Sequence, residues 1–306
     1  MKFGVHTGLQ NTTTDELRAL WHQIDGAGFE WASIWDHFYA ADATITAEGM
    51  SSGAVCLEAV ASHTALAMET EHVRCGSLVY CVGYRHPAVL ANAAATMDHL
   101  SQGRITMGLG GGWHQSEFDA YGIPFEPVPV RLRRTEESIQ VIRLLLTEDV
   151  ADFKGEFYEL NEARCDPKPV QARLPLWIGG GGEKVTLRIA AQHADGWNVP
   201  FITPEQYRHK TEVLERHCDA LGRDPATIER SVNLTLAWSD EELRERFGGM
   251  ADWIRPSALG GSSQEIVDRV GEYGDAGAEM VILAMRAPFD IDGLDRFVAE
   301  VLPAFA

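Results

Sequence analysis

The segment Ile178-Gly-Gly-Gly-Gly-Glu-Lys184 sets four consecutive glycines between an apolar run and a helix-forming one. Glycine lets backbone come close to a ligand, and the amides of a following helix start attract anions. A phosphate lodged there would also meet Lys184; a plain tight turn is the competing reading. A second cluster, Gly108-Leu-Gly-Gly-Gly-Trp113, offers side-chain-free backbone beside an indole. That suits one wall of a pocket for a planar ring, and equally a glycine-rich bend in a strand. Acid–base chemistry points to Asp36-His37 and then to His6, because an imidazole titrates near neutrality and can pass protons. Histidines are more often structural than catalytic and this chain has 11, so position has to decide among them.

The elements that must hold these residues alternate from end to end. Short apolar runs at residues 2–6, 31–35, 73–80, 104–109, 175–178, 196–199, 231–237 and 280–285 read as strands. Amphipathic stretches follow them. Thr13 and Glu16 form a capping box ahead of Leu17, Leu20, Trp21 and Ile24, and Gly28 closes that helix. Further helices are expected over 54–68, 87–100, 132–146, 183–192 and 203–221, then from the Ser262–Glu265 cap to Ala276, and over 291–302. Eight strand–helix units in 306 residues give about 38 residues each, the size of a βαβ repeat. The first strand–helix turn, HTGLQNTTT, lacks the G-x-G-x-x-G of a dinucleotide fold. The expected fold is therefore α/β, a (β/α)8 TIM barrel over residues 1–306 as one domain, with insertions in the βα loops near 42–52, 113–130 and 152–174. In such a barrel the active site lies at the carboxyl ends of the strands. His6, Asp36, His37, Ser77, Leu78, the Gly110–Trp113 stretch, Gly179–Gly182, Asn198 and Arg286 all fall there.

Composition narrows the function. Acidic residues outnumber basic ones 45 to 26, a net charge of −19 that repels nucleic acid and anionic membrane. No apolar run reaches the roughly 18 residues of a membrane helix. Five cysteines form no C-x-x-C pair, so neither a disulfide framework nor a metal site is expected. The first residues enter a strand at once, leaving no room for a signal peptide, and the expected compartment is the cytoplasm. His6-Thr-Gly8 lacks the paired histidines of barrel metallohydrolases, and neither H-E-x-x-H nor G-x-S-x-G occurs.

Three segments together carry a family likeness: WASIWDH, GSLVYCVGYRHPAVLANAAATMDHLSQGRITMGLGGGWHQSEFDAYGIPF and LWIGGGGEKVTLRIAAQHADGWN. In this order and spacing they resemble the bacterial luciferase-like superfamily, and most closely its branch of coenzyme F420-dependent oxidoreductases. The resemblance implies a ring cofactor at the strand ends: F420, or alternatively FMN. It implies that Asp36 and His37 are catalytic and lie at the ring, with His6 nearby. It also implies that Ser77 and Leu78 form a bulge backing the ring, often held by a non-proline cis peptide. Gly110, Gly111, Gly112 and Trp113 would flank the cofactor, and Gly180, Gly181, Gly182 and Glu183 would hold its phosphate. A homodimer is implied as well. One departure matters: where the sugar-phosphate dehydrogenases of the family have a general-acid glutamate after the glycine run, this chain has Trp113. That argues against a sugar phosphate and, with Phe38-Tyr39, for a small apolar or planar substrate.

The leading expectation is hydride transfer between F420 and a small organic molecule, with His37 moving a proton or stabilising charge. An FMN-dependent monooxygenase keeps the fold and changes the chemistry, since deazaflavin carries hydride and does not readily activate oxygen. A non-redox lyase or isomerase holding a phosphorylated substrate at Gly179–Gly182, and a non-catalytic deazaflavin or flavin carrier, are the remaining readings.

Overall fold

Residue runs that are apolar at every position need cover on both faces, which a parallel sheet wrapped in helices supplies. The computed structural model describes residues 1–39 and 55–305. In chain order the first half runs β1 (Lys2–Thr7), α1 (Thr14–Gly26), β2 (Trp31–Ile34), α2 (Ala59–Glu69), β3 (Arg74–Ser77), β4 (Tyr80–Cys81), α3 (Pro87–Leu100), β5 (Ile105–Gly110), α4 (Gln115–Tyr121) and α5 (Val128–Thr147). The second half runs β6 (Ala151–Lys154), β7 (Glu159–Ala163), β8 (Leu176–Gly179), α6 (Thr186–His193), β9 (Gly196–Pro200), α7 (Pro204–Leu221), β10 (Glu229–Leu234), α8 (Asp240–Phe247), α9 (Ala251–Ile254), α10 (Ser263–Asp275), β11 (Met280–Met285) and α11 (Ile291–Glu300). Strands β1, β2, β3, β5, β8, β9, β10 and β11 pair in parallel in that order, and β11 returns to β1 with Lys2 opposite Met280 and Thr7 opposite Met285. The eight-stranded (β/α)8 barrel is closed.

The sequence accounts for its interior. Trp31 and Trp177 project inward and stack, centroids 4.7 Å apart and planes 19° off parallel. Glycines on the neighbouring strands make the space. A Cβ on Gly4 would lie 2.7 Å from Trp31, on Gly76 2.0 Å from it, and on Gly196 2.3 Å from Trp177. Leu78, Met280 and Ile282 complete this inner cluster, and Leu78 carries it up to the carboxyl-terminal mouth.

Helix starts follow their caps. Thr13–Glu16, Thr203–Gln206 and Ser262–Glu265 each close a reciprocal capping box. Gly28 sits just past α1 at φ +86°.

Several expected boundaries move. The strand at 73–80 is broken after Ser77, and the Leu78–Val79 peptide is cis, so β3 and β4 are separate strands that both pair with β5. The helix expected from 183 begins at Thr186, which lengthens the glycine turn, and the helix expected from 132 begins at Val128. The helix expected over 54–68 begins at Ala59; its first residue and the insertion at 42–52 lie outside the described residues. The 113–130 insertion follows β5 and contains α4. That at 152–174 is a correction: it holds the β6–β7 hairpin and lies between α5 and β8, in an αβ connection, hence at the other end of the barrel. A further βα insertion, carrying α8 and α9, follows β10 at the site end.

Candidate active site

The strand ends surround a cavity of about 590 Å³, within the range of small-molecule and cofactor sites. His6, Asp36, His37, Leu78, Gly110, Gly111, Gly112, Trp113 and Gly180 line it, as the strand-end rule required. Gly179, Asn198 and Arg286 line it too, whereas Ser77, Gly181, Gly182 and Glu183 do not. The Ser77 hydroxyl is fully buried, donating to the Gly108 carbonyl (3.1 Å) and accepting from the Gly108 amide (3.0 Å), so it stitches β3 to β5 behind the wall. Gly181 and Gly182 stand back from the cavity, and the Glu183 carboxylate pairs with Lys210 at 2.5 Å and His209 at 3.2 Å.

One wall is built by removing side chains. A Cβ on Gly110 or on Gly179 would lie 2.6 Å from a Val79 methyl, and one on Gly108 would lie 2.1 Å from the Ser77 carbonyl oxygen. Glycine at these positions lets Leu78 and Val79 stand into the cavity as a flat apolar backing. Beyond Gly179 the chain turns through Gly180, at φ +117°, toward α6, whose N-cap Val185 supplies no side-chain acceptor. The Leu187 amide of the first turn is taken by the Gly182 carbonyl at 3.0 Å, and the other amides of this glycine turn and helix start fit an anionic group.

Asp36 and His37 follow the end of β2 but do different work. Both Asp36 oxygens engage Arg85, at 2.6 and 3.1 Å, and one also accepts from the Cys81 amide at 3.0 Å. Burial pushes this carboxyl up, opposed by the Arg85 contacts. Asp36 thus anchors the β3–β4 segment against β2. His6 bonds through Nδ1 to the Ser33 hydroxyl at 2.9 Å. Burial first, then the nearby Arg286 and His37, lowers its pKa to about 3, so its ring is neutral at physiological pH.

His37 meets a residue that sequence reasoning does not single out. Glu117, on α4, is fully buried and accepts from His37 Nδ1 (2.8 Å), the Tyr84 hydroxyl (2.8 Å), and the Phe38 and Tyr39 amides (2.5 and 3.0 Å). His114 Nδ1 stands 3.5 Å away. Burial opposes the charge on Glu117, but the bonds from His37, Tyr39 and Tyr84 outweigh it and hold the carboxyl below its ordinary value. The sole local signal is the His114-x-x-Glu117 pair on one helical turn. Its partner lies 80 residues away, and sequence alone does not supply that contact.

On the opposite side Asn198 donates to Ser231 Oγ and Asn233 Oδ1, both at 2.9 Å, and both asparagines face the cavity. The mouth is apolar. Phe201, Phe247, Met250 and Trp253 come from the β9 end and the α8–α9 insertion, and Trp113 stands edge-on to His37 at 5.7 Å. Arg286 lies between the Trp35 and Phe247 rings, 5.5 and 5.4 Å from their centroids.

A barrel with this glycine wall, broken third strand and strand-end histidine defines a recognisable class. The luciferase-like monooxygenase family model matches residues 1–280, and the chain belongs to that family. Among its relatives, an F420-dependent glucose-6-phosphate dehydrogenase from Amycolatopsis mediterranei is 38% identical over 239 residues, covering 76% of this chain and 67% of that protein. An FMNH(2)-dependent dimethylsulfone monooxygenase from Pseudomonas putida is 28% identical over 182 residues, 59% of this chain and 49% of its own. Among solved structures, an F420-dependent secondary alcohol dehydrogenase superposes with a TM-score of 0.87 at 20% identity, covering 100% of this chain and 99% of the other, which shows the shared fold. The chain spans about two thirds of the length of the curated relatives that it matches at 35–38% identity. Among the described residues no helix is long and apolar enough to cross a membrane.

Proposed function

We propose that this protein is an oxidoreductase that binds coenzyme F420 and transfers hydride to or from a small apolar or planar substrate at the mouth of the barrel. The observation that carries the reading is the pairing of a flat wall, Leu78–Val79 backed by glycines, with an imidazole held at the rim of the same cavity. When bound, the deazaflavin supplies the carbon that takes up or releases hydride.

The rest is work for the chain. Leu78 and Val79 would support one face of the ring, and Gly110–Gly112 leave room along its edge. Gly180, Gly181, Gly182 and Glu183 would offer main-chain amides to the phosphate, because the Glu183 side chain is turned to Lys210. His37 holds or releases a proton at Nε2, the ring nitrogen on the side away from Glu117. The rings of Trp113, Phe247 and Trp253 line the mouth, and a substrate laid against the exposed Trp113 and Trp253 would keep water from the reacting atoms. That aromatic lining suits an apolar or planar substrate better than an array of sugar hydroxyls.

The relative at 38% identity uses F420 and the one at 28% uses FMNH(2), which favours the deazaflavin and keeps FMN as the second reading. Separate fluorescence titrations of the apoprotein with F420 and with FMN test the choice. Preferential F420 binding is expected. Preference for FMN moves the protein to the monooxygenases, and binding of neither overturns the redox assignment.

A further inference from the structure

We infer that Glu117 is the positioning residue of the site: it fixes His37 in the Nδ1–H form and leaves the Nε2 lone pair as the proton-accepting atom that faces the cavity. The inference deepens the hydride-transfer reading and rests on it for its catalytic meaning, while the geometry stands by itself. Glu117 is fully buried on α4, and its carboxylate lies 2.8 Å from His37 Nδ1. The Tyr84 hydroxyl and the Phe38 and Tyr39 amides can only donate to it. With those donors in place, the carboxylate is ionised and accepts from Nδ1, so the ring hydrogen belongs on Nδ1. A neutral imidazole carrying that hydrogen is an acceptor at Nε2.

Proton transfer then has one route. An O–H or N–H bond of the substrate breaks, a bond forms from the hydrogen to Nε2, and the imidazolium produced sits against a charge already in place. Glu117 takes up no proton in this step. It lies inside the second of the family-like segments, but its role appears only in the fold. It arrives on α4, in the insertion after β5, and clamps the loop that follows β2 through the successive Phe38 and Tyr39 amides as well as the His37 ring. Asp36, the neighbour that the sequence favoured, has both oxygens committed to Arg85 and cannot serve in this way.

The test needs no cofactor. Full-length protein labelled with ¹⁵N-histidine is examined by long-range ¹H–¹⁵N correlation at pH 8, with the His37 pattern assigned by its loss in His37→Gln. The expected pattern is a protonated Nδ1 and an unprotonated Nε2, the reverse of the tautomer that dominates in free histidine. In Glu117→Gln the pattern should shift toward Nε2–H or a mixture, and Glu117→Asp, which keeps the charge, should retain more of the Nδ1–H form. A wild-type His37 in the Nε2–H form overturns the inference even if every Glu117 variant fails to fold. An unchanged pattern in folded Glu117→Gln overturns it equally. In F420 turnover, Glu117→Gln should lower kcat by about 10²-fold, with F420 affinity within about threefold of wild type, as an effect confined to proton transfer requires. If neither F420 nor FMN binds, the redox reading falls and the tautomer result stands.

Discussion

Gly76→Ala is the sharpest perturbation of the barrel interior. The new Cβ would lie 2.0 Å from Cζ2 and 2.3 Å from Cη2 of Trp31, well inside contact distance. Trp31 has little room to yield. Trp177 stacks on it at 4.7 Å, the Arg74 guanidinium lies 5.3 Å from its ring, and the residue is fully buried. Overpacking of this kind costs about 1–3 kcal/mol. Trp31→Ala alone should cost about 3–5 kcal/mol through lost burial and the cavity left behind. The methyl introduced by Gly76→Ala then enters vacated space, so the double variant should be no less stable than Trp31→Ala, a coupling of about 1–3 kcal/mol. Thermal and urea unfolding followed by far-ultraviolet circular dichroism, with each variant fitted to its own folded and unfolded baselines because the stacked indoles contribute to the signal, reads the cycle. Each kcal/mol corresponds to about 2 °C in Tm for a chain of this size. Additivity of the two substitutions within about 0.5 kcal/mol would refute the claim that Gly76 is there to admit Trp31.

Three further outcomes are expected. Burial lowers the pKa of His6 to about 3 and that of His63 to about 4, from an ordinary 6.5. Between those values and 6.5 the unfolded chain binds more protons, so stability is fully present above pH 6.5 and falls on acidification by up to about 1.4 kcal/mol per pH unit for each ring; His6→Gln should flatten the slope in urea titrations at pH 7, 6 and 5. Arg85→Met strips the bidentate partner from buried Asp36 and should cost about 3–5 kcal/mol by urea denaturation, whereas Arg85→Lys should lose less. Gly180→Ala forces a side chain onto φ +117°, a strain of about 1–3 kcal/mol, and should weaken F420 binding in fluorescence titration; unchanged affinity would remove this turn from the cofactor site.

Much of this is written locally in the chain. Barrel strands such as Ile105–Gly110, buried at every position, announce themselves as apolar runs, and helix starts such as Thr203-Pro-Glu-Gln206 carry their own caps. The carboxyl-end rule then brings His6, His37, Leu78, Gly110–Gly112 and Gly180 to one cavity. What stays hidden depends on contacts between distant segments. The Ser77 hydroxyl reads as a site group until its bonds to Gly108 show it facing the adjacent strand, and the Glu183 carboxylate until Lys210 claims it and leaves only the backbone for a ligand. Glu117 is invisible because its importance arises only when α4 folds back on the end of β2. The 152–174 insertion lies at the end opposite to the expected one because strand and helix order, not length, decides which face a loop joins.

The α8–α9 insertion has a core of its own: Leu243, Phe247, Ala251 and Ile254 pack together with Ala237, apart from the main core and from the paired tryptophans. Its inner edge presents Phe247, Met250 and Trp253 to the cavity. A segment that buries its own apolar residues can vary as a unit while the barrel beneath it keeps its stability. Under the proposed function, substrate range would in that sense be a replaceable part. Exchange of residues 240–254 as a block, with Trp238 and Ser257 kept for their bonds to Gly293 and Tyr273, is the natural route by which selection, or an engineer, would retarget the site without rebuilding its chemistry.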